Sequence, residues 1–277
     1  MEIKNKVVVV TGGGNGMGRE LVLNLLSRGA IVAAVDIKEL ALAETRQLAG
    51  DLQGSLSTYI LDITDKEAVK NFPWQIISKQ GRVDMLINNA GIIQPFQRVA
   101  DLDDSTIEHV MDVNFYGALY MTRAFLPLLL MRSEASIVNV SSMGGFLPVP
   151  GQSIYGAAKA AVKIMTEGLR SELKHTNVKV SVVFPGAINT NIKAHSGAVE
   201  GGEDGREDGS PRDDRSNRAN KTLSPVQAVQ IIIKGIKKNS PRIFVGRDSR
   251  FLDLIYRLNP GFASNLIAGF MKSHIPE

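Results

Sequence analysis

The chain has 277 residues, 44% of them hydrophobic, which is ample for the core of one large α/β domain. It holds no cysteine, which excludes disulfide frameworks and thiolate metal sites, and its histidines, His109, His175, His195 and His274, lack ligand spacing, so no metal is expected. The net charge of +4 is uneven: from Lys221 onward nine Lys and Arg face three Asp and Glu (+6), leaving −2 for residues 1–220, so only the tail is basic and no nucleic-acid partner is expected.

The apolar run Val7 to Val10 is far too short for a signal peptide or a membrane span, and the expectation is a cytoplasmic protein. A β-branched run over 6–10 predicts a strand buried on both faces of a parallel sheet. It ends in Thr11-Gly12-Gly13-Gly14-Asn15-Gly16-Met17-Gly18, and a helical pattern follows over 20–26. Strand, glycine turn and helix in that order make a phosphate cradle: glycines admit a pyrophosphate to the backbone, and the helix start offers N–H groups and a positive dipole end. The next strand, 31–35, ends at Asp36, where a carboxylate can bond both ribose hydroxyls and repel a 2′-phosphate, so NAD is expected over NADP. Asn15 agrees, since no cation is placed in the glycine loop, while Lys38 is a reservation.

After a helix over 39–49, a strand over 58–61 ends in Asp62-Ile63, which reads equally as a ligand contact or as the N-cap of the next helix. That helix, 66–79, contains Pro73, which predicts a kink or a late start. A strand over 85–87 runs into Asn88-Asn89-Ala90-Gly91, and helices over 105–115 and 117–131 meet near Asn114, a residue disfavoured mid-helix unless its side chain has a task. A strand over 136–140 delivers Ser141 and Ser142 to the same sheet edge. The loop 144–151, with Phe146 and Leu147, is too apolar for an exposed turn and reads as a substrate-pocket wall or as core packing.

On the helix that follows, Tyr155 and Lys159 stand four apart on one face. A cation close to a phenol can lower its pKa by about 1 to 3 units, which makes the pair a candidate acid/base. A strand over 179–184 ends in Pro185-Gly186-Ala187-Ile188-Asn189-Thr190. Residues 195–221 hold seven acids, five bases and five glycines and read as a mobile lid or a disordered insertion. A helix over 225–238 and a strand over 242–245 follow.

The glycine loop, Asn88-Asn89-Ala90-Gly91, Ser142, Tyr155-x-x-x-Lys159 and Pro185-Gly186, in this order, resemble the short-chain dehydrogenase/reductase family over residues 5–246. The resemblance implies an α/β fold: a single Rossmann domain with a doubly wound parallel sheet of seven strands, order 3-2-1-4-5-6-7, and helices on both faces. It also implies NAD(P)-dependent hydride exchange with an alcohol or ketone. The catalytic set would be Asn114, Ser142, Tyr155 and Lys159, with Tyr155 as acid/base, Ser142 donating to the substrate oxygen, and Asn114 holding a water that touches Lys159. Gly12, Asn15, Gly16, Met17 and Gly18 would surround the pyrophosphate and its ribose, and Asp62 and Ile63 the adenine. Asn89 and Gly91 are further expected cofactor contacts, with Pro185, Gly186, Ile188 and Thr190 beside the nicotinamide. Tyr155 and Lys159 would contact the cofactor as well, and a homodimer or homotetramer is expected.

Two alternatives are open: an NADPH-dependent 3-oxoacyl reductase of fatty-acid synthesis, against which stand Asp36, Asn15 and the insertion, and a non-catalytic NAD-sensing module, which has no need of the catalytic set. Residues 247–277 form an apolar, basic extension whose segments 251–258 and 262–272 suit short helices. They read as a wall packed on the chain or a partner, as a peripheral membrane contact, or as a floppy tail. The first two favour a lipophilic alcohol or ketone such as a steroid, retinoid or long-chain compound.

Overall fold

All five residues of β1 (Val7–Thr11) are buried. Val7 and Val9 join one apolar cluster and Val8 and Val10 another. Successive side chains leave a strand on opposite faces, so an unbroken apolar run requires cover on both. The computed structural model, which describes residues 1–188 and 223–271, shows that cover. β1 joins β2 (Ile31–Asp36), β3 (Leu56–Ile60), β4 (Met85–Asn88), β5 (Ala135–Val140), β6 (Val178–Pro185) and β7 (Arg242–Val245) in one parallel sheet of order β3-β2-β1-β4-β5-β6-β7, as expected from the resemblance. Helices α1 (Gly16–Leu26), α2 (Glu39–Leu48), α3 (Lys66–Gln80), α4 (Asp104–Met111), α5 (Gly117–Leu130), α6 (Ser153–Glu172) and α7 (Pro225–Lys237) surround it. On one face Leu21 and Leu25 of α1 pool with Ile232 and Ile236 of α7. On the other, Phe72 of α3, Phe125 of α5 and Leu169 of α6 share a cluster.

Pro73 neither kills nor delays α3, which runs unbroken from Lys66. Its cap is Asp65, accepting from the Glu67 and Ala68 N–H groups, and Phe72 and Pro73 are buried, so packing outweighs the one ladder bond that proline removes. The capping reading of Asp62 is thereby corrected: Asp62 Oδ1 accepts instead from the N–H and hydroxyl of Thr64. Between α4 and α5 the chain is wound as a π-helix over Asp112–Tyr116, and Asn114 sits inside it.

The extension folds into α8 (Arg247–Leu258) and α9 (Pro260–Met271). Leu252, Ile255, Tyr256, Ala263 and Ile267 pack with Phe146, Leu147, Phe184 and Phe244 in a third apolar cluster. The tail is thus packed on its own chain. Phe146 and Leu147 belong to that core, which decides the loop's reading in favour of packing. Asn189, Thr190, the insertion 195–221 and Lys272 lie outside the described residues.

A buried carboxylate ties the sheet's lower edge. Asp84 accepts from the Val7 N–H at 2.9 Å, Arg82 Nε at 3.2 Å and Arg132 Nε at 2.8 Å. Asp84→Asn removes the charge from these bonds, and the expected loss is about 1.5 to 3 kcal/mol, read as a lower urea midpoint with an unchanged slope.

Candidate active site

Where the strand order reverses between β1 and β4, an open α/β sheet leaves a crevice at its carboxyl edge. Here it is a cleft of about 520 Å³, within the usual range for ligand pockets. Every expected site residue that the structure describes lines it. The β1–α1 turn contributes Gly12, Asn15, Gly16, Met17 and Gly18; β2 and β3 bring Asp36, Asp62 and Ile63; β4 brings Asn89 and Gly91. The π segment contributes Asn114, β5 leads to Ser142, α6 carries Tyr155 and Lys159, and Pro185, Gly186 and Ile188 close the far end.

The glycine turn is built for close backbone approach. Gly12 has φ +66 and Gly16 φ +51, and a Cβ on Gly18 would stand 1.9 Å from the Gly12 carbonyl oxygen, so no other residue fits at position 18. Asn15 caps α1 by accepting from the Gly16 N–H, and the first turn carries no acid. An anion-seeking helix start opening onto the cleft fits the pyrophosphate of a dinucleotide. Thr11 fastens the turn to the end of β4, its hydroxyl accepting from the Asn89 and Ala90 N–H groups. Asp36 faces the same turn, with Oδ2 accepting from the Gly14 N–H and Oδ1 from the Lys38 N–H, each at 3.0 Å. Each oxygen keeps acceptor capacity for a ribose hydroxyl.

At the other end Lys159 is 3% exposed and donates from Nζ to the Val140 carbonyl at 3.3 Å. Burial lowers its pKa to about 8. Burial also pushes the Tyr155 phenol above its ordinary value, while a hydrogen bond with Ser142 pulls it the other way. The expected lowering of the phenol by Lys159 is therefore corrected: the ammonium lies 5.9 Å from the ring centroid, bonds to a carbonyl and is itself disfavoured by burial. Asn114 is buried, and both its amide hydrogens are committed, to Ile92 O at 2.9 Å and Val110 O at 3.0 Å. Its Oδ1 and Lys159 Nζ crowd the place a Cβ of Gly91 would take, at 2.7 and 2.9 Å, so Gly91 is what lets these two groups converge.

Three residues that sequence reasoning missed hold this geometry. The N-terminus of α6 has no side-chain cap of its own; Gln94, from the loop after β4, accepts the Tyr155 N–H at 2.8 Å instead. Asp248 and Ser249, in the first turn of α8, bond Ala187 N and Phe184 O at 3.1 and 2.9 Å, stitching the extension to the Pro185–Ile188 end of the cleft. No local pattern could have flagged them, because each partner lies about 60 residues away in sequence. His109 and Val113 also line the cleft, five positions and one position before Asn114.

Residues 6–200 match the family profile described as short chain dehydrogenase. The chain belongs to the short-chain dehydrogenase/reductase family. Over 276 residues it is 36% identical to the Mycobacterium tuberculosis protein SadH, covering 99% of this chain and 98% of that one, so the likeness includes the extension. Among solved structures, a short-chain dehydrogenase/reductase from Burkholderia phymatum in complex with NAD superposes with a TM-score of 0.79 at 24% identity, covering 93% of this chain and 96% of that one. A short-chain dehydrogenase from Burkholderia cenocepacia J2315 in complex with NADP gives 0.76 at 27% identity, covering 96% and 99%. The protein is thus an oxidoreductase of the short-chain dehydrogenase/reductase type that uses a nicotinamide cofactor.

Proposed function

We propose that the protein is an NAD-dependent dehydrogenase/reductase interconverting a secondary alcohol and a ketone on a lipophilic substrate. The observation that carries this reading is the convergence of Ser142, Tyr155 and Lys159 on the same cleft as the glycine turn and Asp36. A bound nicotinamide supplies or accepts the hydride. The chain's own residues manage the rest. The glycine turn and the start of α1 hold the pyrophosphate, Asp36 the adenosine ribose, and Asp62 and Ile63 the adenine. Ser142 donates to the substrate oxygen and fixes it beside the Tyr155 hydroxyl. With its pKa raised, Tyr155 carries its proton at neutral pH and is set up to donate it to a carbonyl oxygen; in alcohol oxidation the same hydroxyl position takes the proton back. Lys159 holds the nicotinamide ribose, and Asn114 braces the Gly91–Ile92 backbone opposite it.

The preference for NAD rests on Asp36, whose carboxylate would repel a 2′-phosphate. Asp36→Ala is expected to weaken NADH binding and shift preference toward NADPH by about 1.5 to 3 kcal/mol. Fluorescence titration of both cofactors checks this, and tighter NADPH than NADH binding in the unmutated protein refutes the assignment. A lipophilic substrate is favoured by the walls around Ser142 and Tyr155: Ile92, Ile93, Ala187 and Ile188 line that end, and among the described lining residues Lys159 is its single charged group, since Asp36, Lys38 and Asp62 lie at the adenosine end. A panel of alcohols and ketones graded by chain length and ring count tests it, with catalytic efficiency expected to rise along the series. A cytoplasmic homodimer or homotetramer is part of the proposal, supported by the exposed Tyr116, Leu130 and Met131 at the ends of α5 and Ile164 on α6.

A further inference from the structure

α8 has two unlike faces. Inward, Leu252, Ile255 and Tyr256 pack on the Phe146–Phe184 cluster, and Ser249 and Asp253 are buried. Outward, Phe251, Leu254 and Leu258 stand at helical spacings of three and four and are 61%, 50% and 77% exposed. α9 continues the apolar surface with Phe262 and Phe270, 56% and 68% exposed. Five large apolar side chains within twenty residues are exposed on these two mutually packed helices, as expected of a docking site.

The charges decide what docks. Arg247, Arg250 and Arg257 are exposed along α8 beside the apolar row. Of the acids of the same helix, Asp253 is buried with Oδ2 2.8 Å from Arg257 and Oδ1 3.5 Å from Arg242, and the exposed Asp248 accepts from the Ala187 N–H, while among the described residues no ion pair engages Arg247 or Arg250. Pairing this face with its own copy about a two-fold axis would set arginines against arginines. Anionic headgroups complement the same row, with cations at the rim and Phe and Leu below. α8 and α9 have 12 residues each, about 18 Å, too short to cross a hydrocarbon core of about 30 Å, so they suit lying in its surface. No described helix is long and apolar enough to cross a membrane.

We propose that the outer face of α8 and α9 docks on an anionic lipid bilayer. Because Asp248 of α8 bonds Ala187, which lines the cleft, docking sets the substrate end about one helix diameter, 10 to 12 Å, from the lipid. The surface is independent of the substrate assignment made above, and the test uses no substrate, so either can fail alone.

The full chain is sedimented with vesicles of phosphatidylcholine and phosphatidylserine, and with phosphatidylcholine vesicles, at low and high salt. Binding to the anionic vesicles, weakened by salt, is expected. Phe251→Ser with Leu258→Ser should lower it at least tenfold. Arg247→Gln and Arg250→Gln should each lower it about fivefold, and on anionic vesicles alone. Circular dichroism and light scattering are run on each variant. No binding of the unmutated chain at low salt overturns the proposal. So does a serine variant that loses self-association while the unmutated chain ignores vesicles, because the face then belongs to a second copy.

Discussion

Tyr155→Phe is expected to lower turnover by about 10² to 10⁴-fold, the range of a lost proton transfer, with cofactor affinity nearly unchanged. The ring is kept, so its place above the cleft and the main-chain bond to Gln94 both survive. What disappears is the hydroxyl that Ser142 bonds. Single-turnover rates with matched cofactor titrations separate the two effects. A variant with near-normal turnover would remove Tyr155 from the acid/base role and the proposed mechanism with it.

Lys159→Met should abolish turnover at least as fully, yet leave a more stable protein at neutral pH. The folded chain holds this lysine at a pKa of about 8, against the model-peptide value of 10.5. Below pH 8 both folded and unfolded chains carry the proton, and the folded state bears the whole cost of a buried ammonium. Between about 8 and 10.5 the unfolded chain binds more protons than the folded one, so stability rises with pH; above that window the penalty is gone. The shift corresponds to about 3 kcal/mol at most, part of which the lost bond to Val140 O offsets. Urea unfolding at pH 7 and pH 10 reads the sign: the methionine variant should lead at pH 7, and its lead should shrink at pH 10. A lead that does not narrow with pH would mean that the lysine's charge is not what strains the fold. A site residue that weakens its own fold is a common companion of function.

Much of this protein is legible in its sequence because its signals are local. Val7 to Val10, the glycine turn and Asp36 are contiguous or one unit apart, and the strands fall within about two residues of their predicted bounds. What escaped depends on depth or distance. The sign of the Tyr155 shift follows from burial, which spacing to Lys159 does not reveal. Pro73 is tolerated because Phe72 is anchored against Phe125, a contact made 53 positions later. Gln94 looks like any loop amide until α6 is laid over it.

The π-helical turn at Asp112–Tyr116 acts as a phase shifter. Its defining bond, from the Gly117 N–H to the Asp112 carbonyl, encloses one residue more than an α-turn. Each residue advances an α-helix by about 100°, so α5 leaves the turn rotated by roughly that angle from the course α4 had set. Two orientations are thereby satisfied at once: Asn114 faces Gly91 and Lys159, while Phe125 and Leu129 still meet the core beneath the sheet. Loss of a single residue between 112 and 116 would return the segment to a regular helix. Either the core row of α5 or Asn114 would then point the wrong way. At this place in the chain the number of residues is as constrained as their kind, and length variation belongs in the loops.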